Sequence, residues 1–195
     1  MAAPAQTHYA APAQTHYAAG ILPVTWHQGQ ALFLVGRDAR DHTWSDFGGK
    51  CERADKDDPL STAVREFMEE SFNLVLDGAG LRRRLNAANT LLLRSRTQNG
   101  HPYYMYVAEV PYKPELRHAL RAATLPFLKY RNMHKACVEK TDLMWVSWEG
   151  LRSPDLPKRS VFQATLDLHA PTLARLARLA TDAHETWESM CASAQ

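Results

Sequence analysis

The sequence predicts an α/β fold, an α/β/α sandwich built on a mixed sheet. Three observations lead there. Runs rich in β-branched and aromatic residues alternate with stretches of helical periodicity. Two pairs of these runs are joined by short glycine-containing turns that read as antiparallel hairpins. Helical stretches fall between and after the strands, an order that packs helices on the faces of a sheet. A chain of 195 residues suits one domain with a full hydrophobic core.

The elements follow in order. Residues 3–10 (Ala-Pro-Ala-Gln-Thr-His-Tyr-Ala) recur letter for letter at 11–18. Two copies cannot build a repeat architecture, and the Ala/Pro composition favours extended chain. Residues 1–18 are therefore expected to be a flexible tail whose second copy feeds the first strand, with the domain at 19–195. Strands over 21–26 and 31–36 flank His27-Gln28-Gly29-Gln30. Strands over 90–96 and 103–110 flank Thr97-Gln98-Asn99-Gly100, and Asn-Gly is a strong hairpin signal. A further strand is expected over 143–148. A last helix spans about 171–190, with Leu173, Leu176, Leu179, Ala183 and Trp187 on one stripe.

The chemistry concentrates between Gly48 and Phe72. Asp58 is a good N-cap and Pro59 a good first helical residue. Leu60, Ala63, Val64, Phe67 and Met68 form the apolar stripe of the helix that follows. Glu66, Glu69 and Glu70 sit at i, i+3 and i+4, on a shared face. Three carboxylates so placed repel one another, and a hard divalent cation would offset the repulsion. Glu70→Gln is accordingly expected to relieve strain in the metal-free helix. Arg65 lies beside the cluster, placed to neutralise and orient one carboxylate. A solvated acidic face is the alternative reading.

These residues resemble the Nudix box: Gly, five residues, Glu, seven residues, Arg-Glu, an apolar residue, any residue, Glu-Glu, any residue, Gly, apolar. Gly49 matches the opening glycine, and Arg65-Glu66-Phe67-Met68-Glu69-Glu70 matches the helical core. There are three departures. The loop from Gly49 to Arg65 is two residues longer than the family's. Asp57 is taken as the loop acid, because Asp57-Asp58-Pro59 stands where the family has Glu-Thr-Pro. Phe72 replaces the closing glycine, and Asn73 is expected to take the left-handed, helix-ending role. The likeness extends over about residues 19–190, through Ala19 to Arg37, Trp44-Ser45-Asp46-Phe47-Gly48-Gly49 and Trp145-Val146-Ser147-Trp148. This version of the box is most similar to Nudix proteins of large DNA viruses and protists.

The resemblance implies a Nudix-type sandwich and a hydrolase acting on phosphoric anhydride bonds. It implies Mg2+ or Mn2+ bound by Glu66, Glu69, Glu70 and the Gly48 carbonyl, with Arg65 paired to Glu66. Glu66, Glu69 and Glu139 are its candidates for general base. Lys50, beside the glycines, is a candidate substrate ligand. Trp44, Phe47, Tyr103 and Tyr104 could stack on a base, although each also reads as an ordinary strand or core aromatic.

Residues 111–140 carry a net charge of +5 in a chain whose total is +2. Such asymmetry points to an anionic partner, with Arg117, Arg121 and Lys129 as the grip. The alternative is an exposed amphipathic helix with Leu116, Leu120 and Leu125 packed down. The expected partner is a polyphosphorylated small molecule or capped RNA, with capped RNA or a diphosphoinositol polyphosphate favoured. Nucleotide sugars, ADP-ribose and nucleoside triphosphates are the alternatives within the family. A catalytically silent Nudix-fold ligand- or RNA-binding module is the alternative outside it, disfavoured because all three glutamates and Arg65 are kept. Cys51, Cys137 and Cys191 lack metal spacing, which argues against zinc and a disulfide framework. There is no membrane-spanning run and no secretory signal, so a cytoplasmic or nuclear location is expected. The oligomeric state is left open.

Overall fold

A computed structural model of the chain describes residues 16–85, 90–129, 138–179, 187 and 190–191, with backbone alone over 127–129. Most of the repeated octapeptide lies outside the described residues. Its last residue, Ala18, opens the first strand.

Among the described residues seven strands form one mixed sheet. They are β1 (Ala18–His27), β2 (Gln30–Asp38), β3 (Trp44–Ser45), β4 (Phe47–Lys50), β5 (Thr90–Arg96), β6 (Pro102–Glu109) and β7 (Lys140–Ser147). The order is β3-β2-β1-β6-β5, with β4 also paired to β1 and β7 to β2. The β1–β6 pair is parallel and the others are antiparallel. Both expected hairpins are present. Gln28 and Gly29 turn the first with φ of 51° and 76°, a doubly left-handed turn that suits the twist of the strands. Gly100, at φ 80°, closes the second by donating to the Thr97 carbonyl at 2.9 Å.

Side chains alternate across the sheet and create two cores. Leu22, Val24, Phe33 and Val35 pack on one face, and Ala19, Ile21 and Leu34 on the other. The second face is covered by α1 (Pro59–Ser71), α2 (Gly78–Arg84) and α3 (Leu116–Lys129). The first is covered by α4 (Trp148–Arg152), α5 (Ser160–Leu168) and α6 (Ala170–Ala177), with Trp187 against them. The α/β/α sandwich is therefore the architecture. No helix among the described residues is long and apolar enough to cross a membrane.

The box helix forms as its sequence dictates. The Asp58 carboxylate accepts from the Leu60 and Ser61 amides, and Ala63, Val64 and Phe67 are buried. Its end differs from expectation. Phe72 itself turns left-handed at φ 52°, and Asn73 follows at 57°. The Asn73 amide reaches back to the Met68 carbonyl at 3.1 Å, so the turn closes without glycine.

Other differences are local. Trp148 starts α4 instead of ending β7, because the Ser147 hydroxyl caps that helix by accepting from the Gly150 amide at 3.1 Å. Leu125 is 51% exposed, while Leu116, Leu120 and Thr124 share the inward stripe at four-residue spacing. The expected single helix over 171–190 is preceded by α5 and is interrupted: α6 ends at Ala177, Leu179 lies outside it, and Trp187, Met190 and Cys191 are helical again. Leu173, Leu176 and Trp187 are buried as expected, and Ala183 lies outside the described residues.

Candidate functional site

Three glycines let the box helix approach the sheet. β4 pairs with β1 so that Gly48 faces Gly20. A Cβ on Gly48 would stand 2.6 Å from the Gly20 Cα, and one on Gly49 would stand 2.6 Å from the Glu66 Cδ. Only bare backbone leaves room there for a carboxylate. Glu66 packs over Gly49, and Glu70 Oε2 accepts from the Gly48 amide at 2.9 Å. Both side chains are buried, whereas the Glu69 side chain is 61% exposed at the rim. Burial raises the Glu66 carboxyl, partly offset by Arg65. Burial pushes the Glu70 carboxyl up to about 8, against the opposing charge of Lys140.

Arg65 ties the loop to the helix. Its Nε and Nη2 donate to the two Asp55 carboxylate oxygens, each at 3.1 Å. Its Nη1 donates to Glu66 Oε1 at 2.9 Å and Glu69 Oε2 at 3.2 Å, and Nη2 also reaches the Lys50 carbonyl at 2.9 Å. The two-pronged partner is thus Asp55, while Glu66 receives one prong. Asp55 is fixed in turn by the Glu52 amide and the Thr62 hydroxyl, each at 2.8 Å. Burial alone would raise its carboxyl, but Arg65 and these donors hold it below the ordinary carboxylate range.

Asp55, not Asp57, is therefore the loop acid that engages the box helix. Asp57 is exposed at φ 57°, next to Lys56 at 54°. The signal was in the spacing. Five residues separate Gly49 from Asp55, as in the family pattern, so the two extra residues fall beyond it. The left-handed pair Lys56-Asp57 absorbs them.

A buried cation was missed altogether. Lys140 belongs to the basic segment, yet its side chain is fully enclosed. Its Nζ donates to Ser45 Oγ at 2.7 Å and lies 3.4 Å from Glu70 Oε1. Gly36 makes the space, since a Cβ there would stand 2.9 Å from the Lys140 Cδ. Next to Ser45, the buried Asp46 carboxylate accepts from the Tyr103 hydroxyl. Neither burial has a local sequence signature.

Among the described residues no three His, Cys, Asp or Glu side chains are gathered closely enough to hold a metal ion as they stand. The donors nevertheless fit a hard divalent cation. They are all oxygen, and two are buried carboxylates drawn against bare glycine backbone, with Glu69 adjacent at the rim.

The other predicted residues are distributed unevenly. Glu139 is exposed just before β7, and its charge helps to raise both Glu66 and Glu70. Phe47 is fully buried edge-to-face against Phe67, with ring centres 5.1 Å apart, so it offers no face to a ligand. Trp44 is half-buried on the α5 side, and Tyr104 is half-buried edge-to-face with Tyr17. Arg117 makes a two-pronged contact with Asp142 at 2.9 and 2.7 Å, and Arg121 reaches the same carboxylate at 3.2 Å. The Lys129 side chain lies outside the described residues. Lys50 is exposed and lines a cleft of about 220 Å³ between β4, the β5–β6 turn and the start of α5. The Gly48-Gly49 backbone thus has the carboxylates on its α1 side and this cleft on its α5 side.

No family model and no curated protein matches the sequence. Solved structures match the fold. A C. elegans Ap4A hydrolase in a binary complex aligns with TM-score 0.52 at 16% identity, covering 81% of this chain and 98% of that one. The NUDIX domain of Shewanella oneidensis NrtR, complexed with ADP ribose, aligns with TM-score 0.51 at 15% identity, covering 86% and 94%. The chain has the Nudix fold.

Proposed function

We propose that the protein is a divalent-metal-dependent Nudix hydrolase that cleaves a diphosphate linkage in a polyphosphorylated substrate. The observation that carries this reading is the burial of Glu66 and Glu70 against Gly48-Gly49, beside an Arg65 fixed by Asp55. A solvated acidic helix has no use for such an arrangement. Glu66, Glu69 and Glu70 with the Gly48 carbonyl would hold Mg2+ or Mn2+, which supplies charge neutralisation at phosphate oxygens and a water of lowered pKa. Arg65 fixes the Glu66 rotamer and neutralises part of the carboxylate charge. Water attacks one phosphorus in line, the bridging P–O bond breaks, and a phosphate-bearing group leaves. Glu66, Glu69 or Glu139 accepts the proton of the attacking water.

Capped RNA and diphosphoinositol polyphosphates remain within this proposal on the charge of residues 111–140. The pairing of Arg117 and Arg121 with Asp142 reduces the share of that charge free for a ligand. The two aligned structures, an Ap4A hydrolase and a NUDIX domain complexed with ADP ribose, add small nucleotides as candidates. One observation favours the silent binding module: the Lys140 ammonium sits beside Glu70, where a cation would stand. The test is a panel of capped RNA, nucleotide sugars, ADP-ribose, dinucleoside polyphosphates, nucleoside triphosphates and inositol pyrophosphates, with Mg2+ and with Mn2+, read by product mass. Metal-dependent cleavage of a diphosphate bond is the expected result. Tight binding without turnover on any member would select the silent module.

A further inference from the structure

The cleft on the α5 side of β4 contains two cations that the carboxylate site does not use. Arg159 is the residue before α5, and its backbone is held at both ends. Its amide donates to the Trp44 carbonyl at 3.0 Å, and its carbonyl accepts from the Gln163 amide at 2.9 Å. Its guanidinium makes no hydrogen bond or ion pair to any described residue, although it lines the cleft. Lys50 lines the same cleft from β4, and its ammonium is also without a partner among the described residues. The Lys50 carbonyl accepts from Arg65, so one residue joins the carboxylate site to the cleft. Two other walls of the cleft are braced against each other, since Gln98 in the β5–β6 turn donates to the Ser160 hydroxyl at the start of α5 at 2.7 Å. Asp46 is the acid in the lining, and its carboxylate is taken by Tyr103 and makes no ion pair with Arg159.

We propose that Lys50 and Arg159 hold additional phosphate groups of the substrate, so that the site selects chains of three or more linked phosphates over simple diphosphates. The inference rests on the reading of the carboxylate site as a diphosphate hydrolase. Two cations with no hydrogen bond or ion pair to a described residue, set across the Gly48-Gly49 backbone from the carboxylates, attract more anion even though Asp46 and Asp41 act on Arg159 at longer range, and a guanidinium fork fits phosphate geometry. A nucleotide sugar or ADP-ribose, with two phosphates, places both at the carboxylates and leaves the cations empty. A dinucleoside tetraphosphate or a nucleoside triphosphate fills both regions. The cleft volume suits a phosphate-bearing end group.

The test compares diadenosine tetraphosphate with ADP-ribose, using the full chain with Mg2+. Arg159→Gln should lower kcat/KM on the tetraphosphate by about tenfold, the scale of one charged hydrogen bond, with little change on ADP-ribose, and Lys50→Gln should lower it on the tetraphosphate by more than on ADP-ribose. Arg159→Lys should lie between, and thermal unfolding checks that each variant is folded. Equal losses on both substrates, or none on either, would overturn the inference. A second arm separates it from the hydrolase reading. Inorganic tripolyphosphate and pyrophosphate are titrated calorimetrically into metal-free protein. Tighter tripolyphosphate binding that Arg159→Gln abolishes supports the cleft even if no substrate turns over. Turnover without any dependence on phosphate number would leave a hydrolase and remove the cleft assignment.

Discussion

The Lys140 ammonium lies 3.4 Å from Glu70 Oε1, with both side chains buried. This pair reverses an expectation. Read locally, Glu70→Gln relieves repulsion between neighbouring carboxylates. In the fold, above about pH 8 where the raised Glu70 carboxyl is ionised, it strips a buried lysine of its counter-ion. Metal-free Glu70→Gln should therefore lose stability at that pH, by about 3 kcal/mol, the scale of breaking a buried pair from one side, and should lose less at neutral pH. Lys140→Met should lose a similar amount, and saturating Mg2+ should recover part of it by restoring a cation beside Glu70. The double variant should recover much of the loss. Denaturant unfolding without metal measures all three, and a Glu70→Gln protein as stable as the parent would refute the pair.

The Asp55–Arg65 clamp makes a prediction about the catalytic constant. Lysine at 65 keeps the charge but cannot span both Asp55 oxygens and still reach Glu66. Arg65→Lys should lower kcat by about 100-fold, the scale of a small misplacement of a catalytic group, with a smaller change in KM. Asp55→Asn should fall in the same direction, and Asp57→Asn should match the parent. Steady-state kinetics on any substrate found active decides between them. A deficit in Asp57→Asn as large as in Asp55→Asn would return the loop-acid role to Asp57.

Gly49→Ala tests the close approach of Glu66. The new methyl would collide with the carboxylate, the movable end of a side chain, and not with fixed backbone. The fold should persist, with a loss of about 1 kcal/mol, while Glu66 swings out of place. Mg2+ affinity by calorimetry should weaken, and turnover should fall with it. Unchanged metal affinity would show that Glu66 is not held by this contact.

The Asp142 carboxyl supplies a pH dependence. Burial would raise it, but the hydrogen bonds and charge of Arg117, with Arg121, outweigh burial and hold it below its ordinary value. A carboxyl depressed in the folded state adds stability that is present above its unfolded pKa, near 4, and is lost as pH falls through the folded value. Asp142→Asn should therefore melt below the parent at neutral pH, and the gap should close in acid as the pH falls through the lowered folded value. The arginine side chains are more than half exposed, so solvent screening should keep the effect small. Melting curves across pH measure it, and a constant gap would mean that the pair contributes by packing alone.

The box helix was legible because its determinants lie within a few residues of one another. The Asp58 cap, the Pro59 start, the apolar stripe and the spacing of Glu66, Glu69 and Glu70 are all local. So are the two hairpins, whose turns are set by Gly29 and Gly100. The loop acid was recoverable by counting from Gly49, and a likeness at Asp57-Asp58-Pro59 hid it. The helices α2 and α4 are too short to show a periodic stripe, and packing on the sheet stabilises them more than propensity does.

Tertiary structure alone decided which charges are free. Lys140 and Arg117 belong to one basic segment, yet register with β2 encloses the first and Asp142 engages the second. Arg159, over a hundred positions from Lys50, faces the same cleft because α5 starts where the chain passes Trp44. Lys140 and Ser45 meet across 95 residues. Sequence spacing specifies neighbours along a helix or across a turn. Whether a charge meets water, a counter-ion or a ligand depends on which strands pair and in what register, and that follows from packing of the whole sheet.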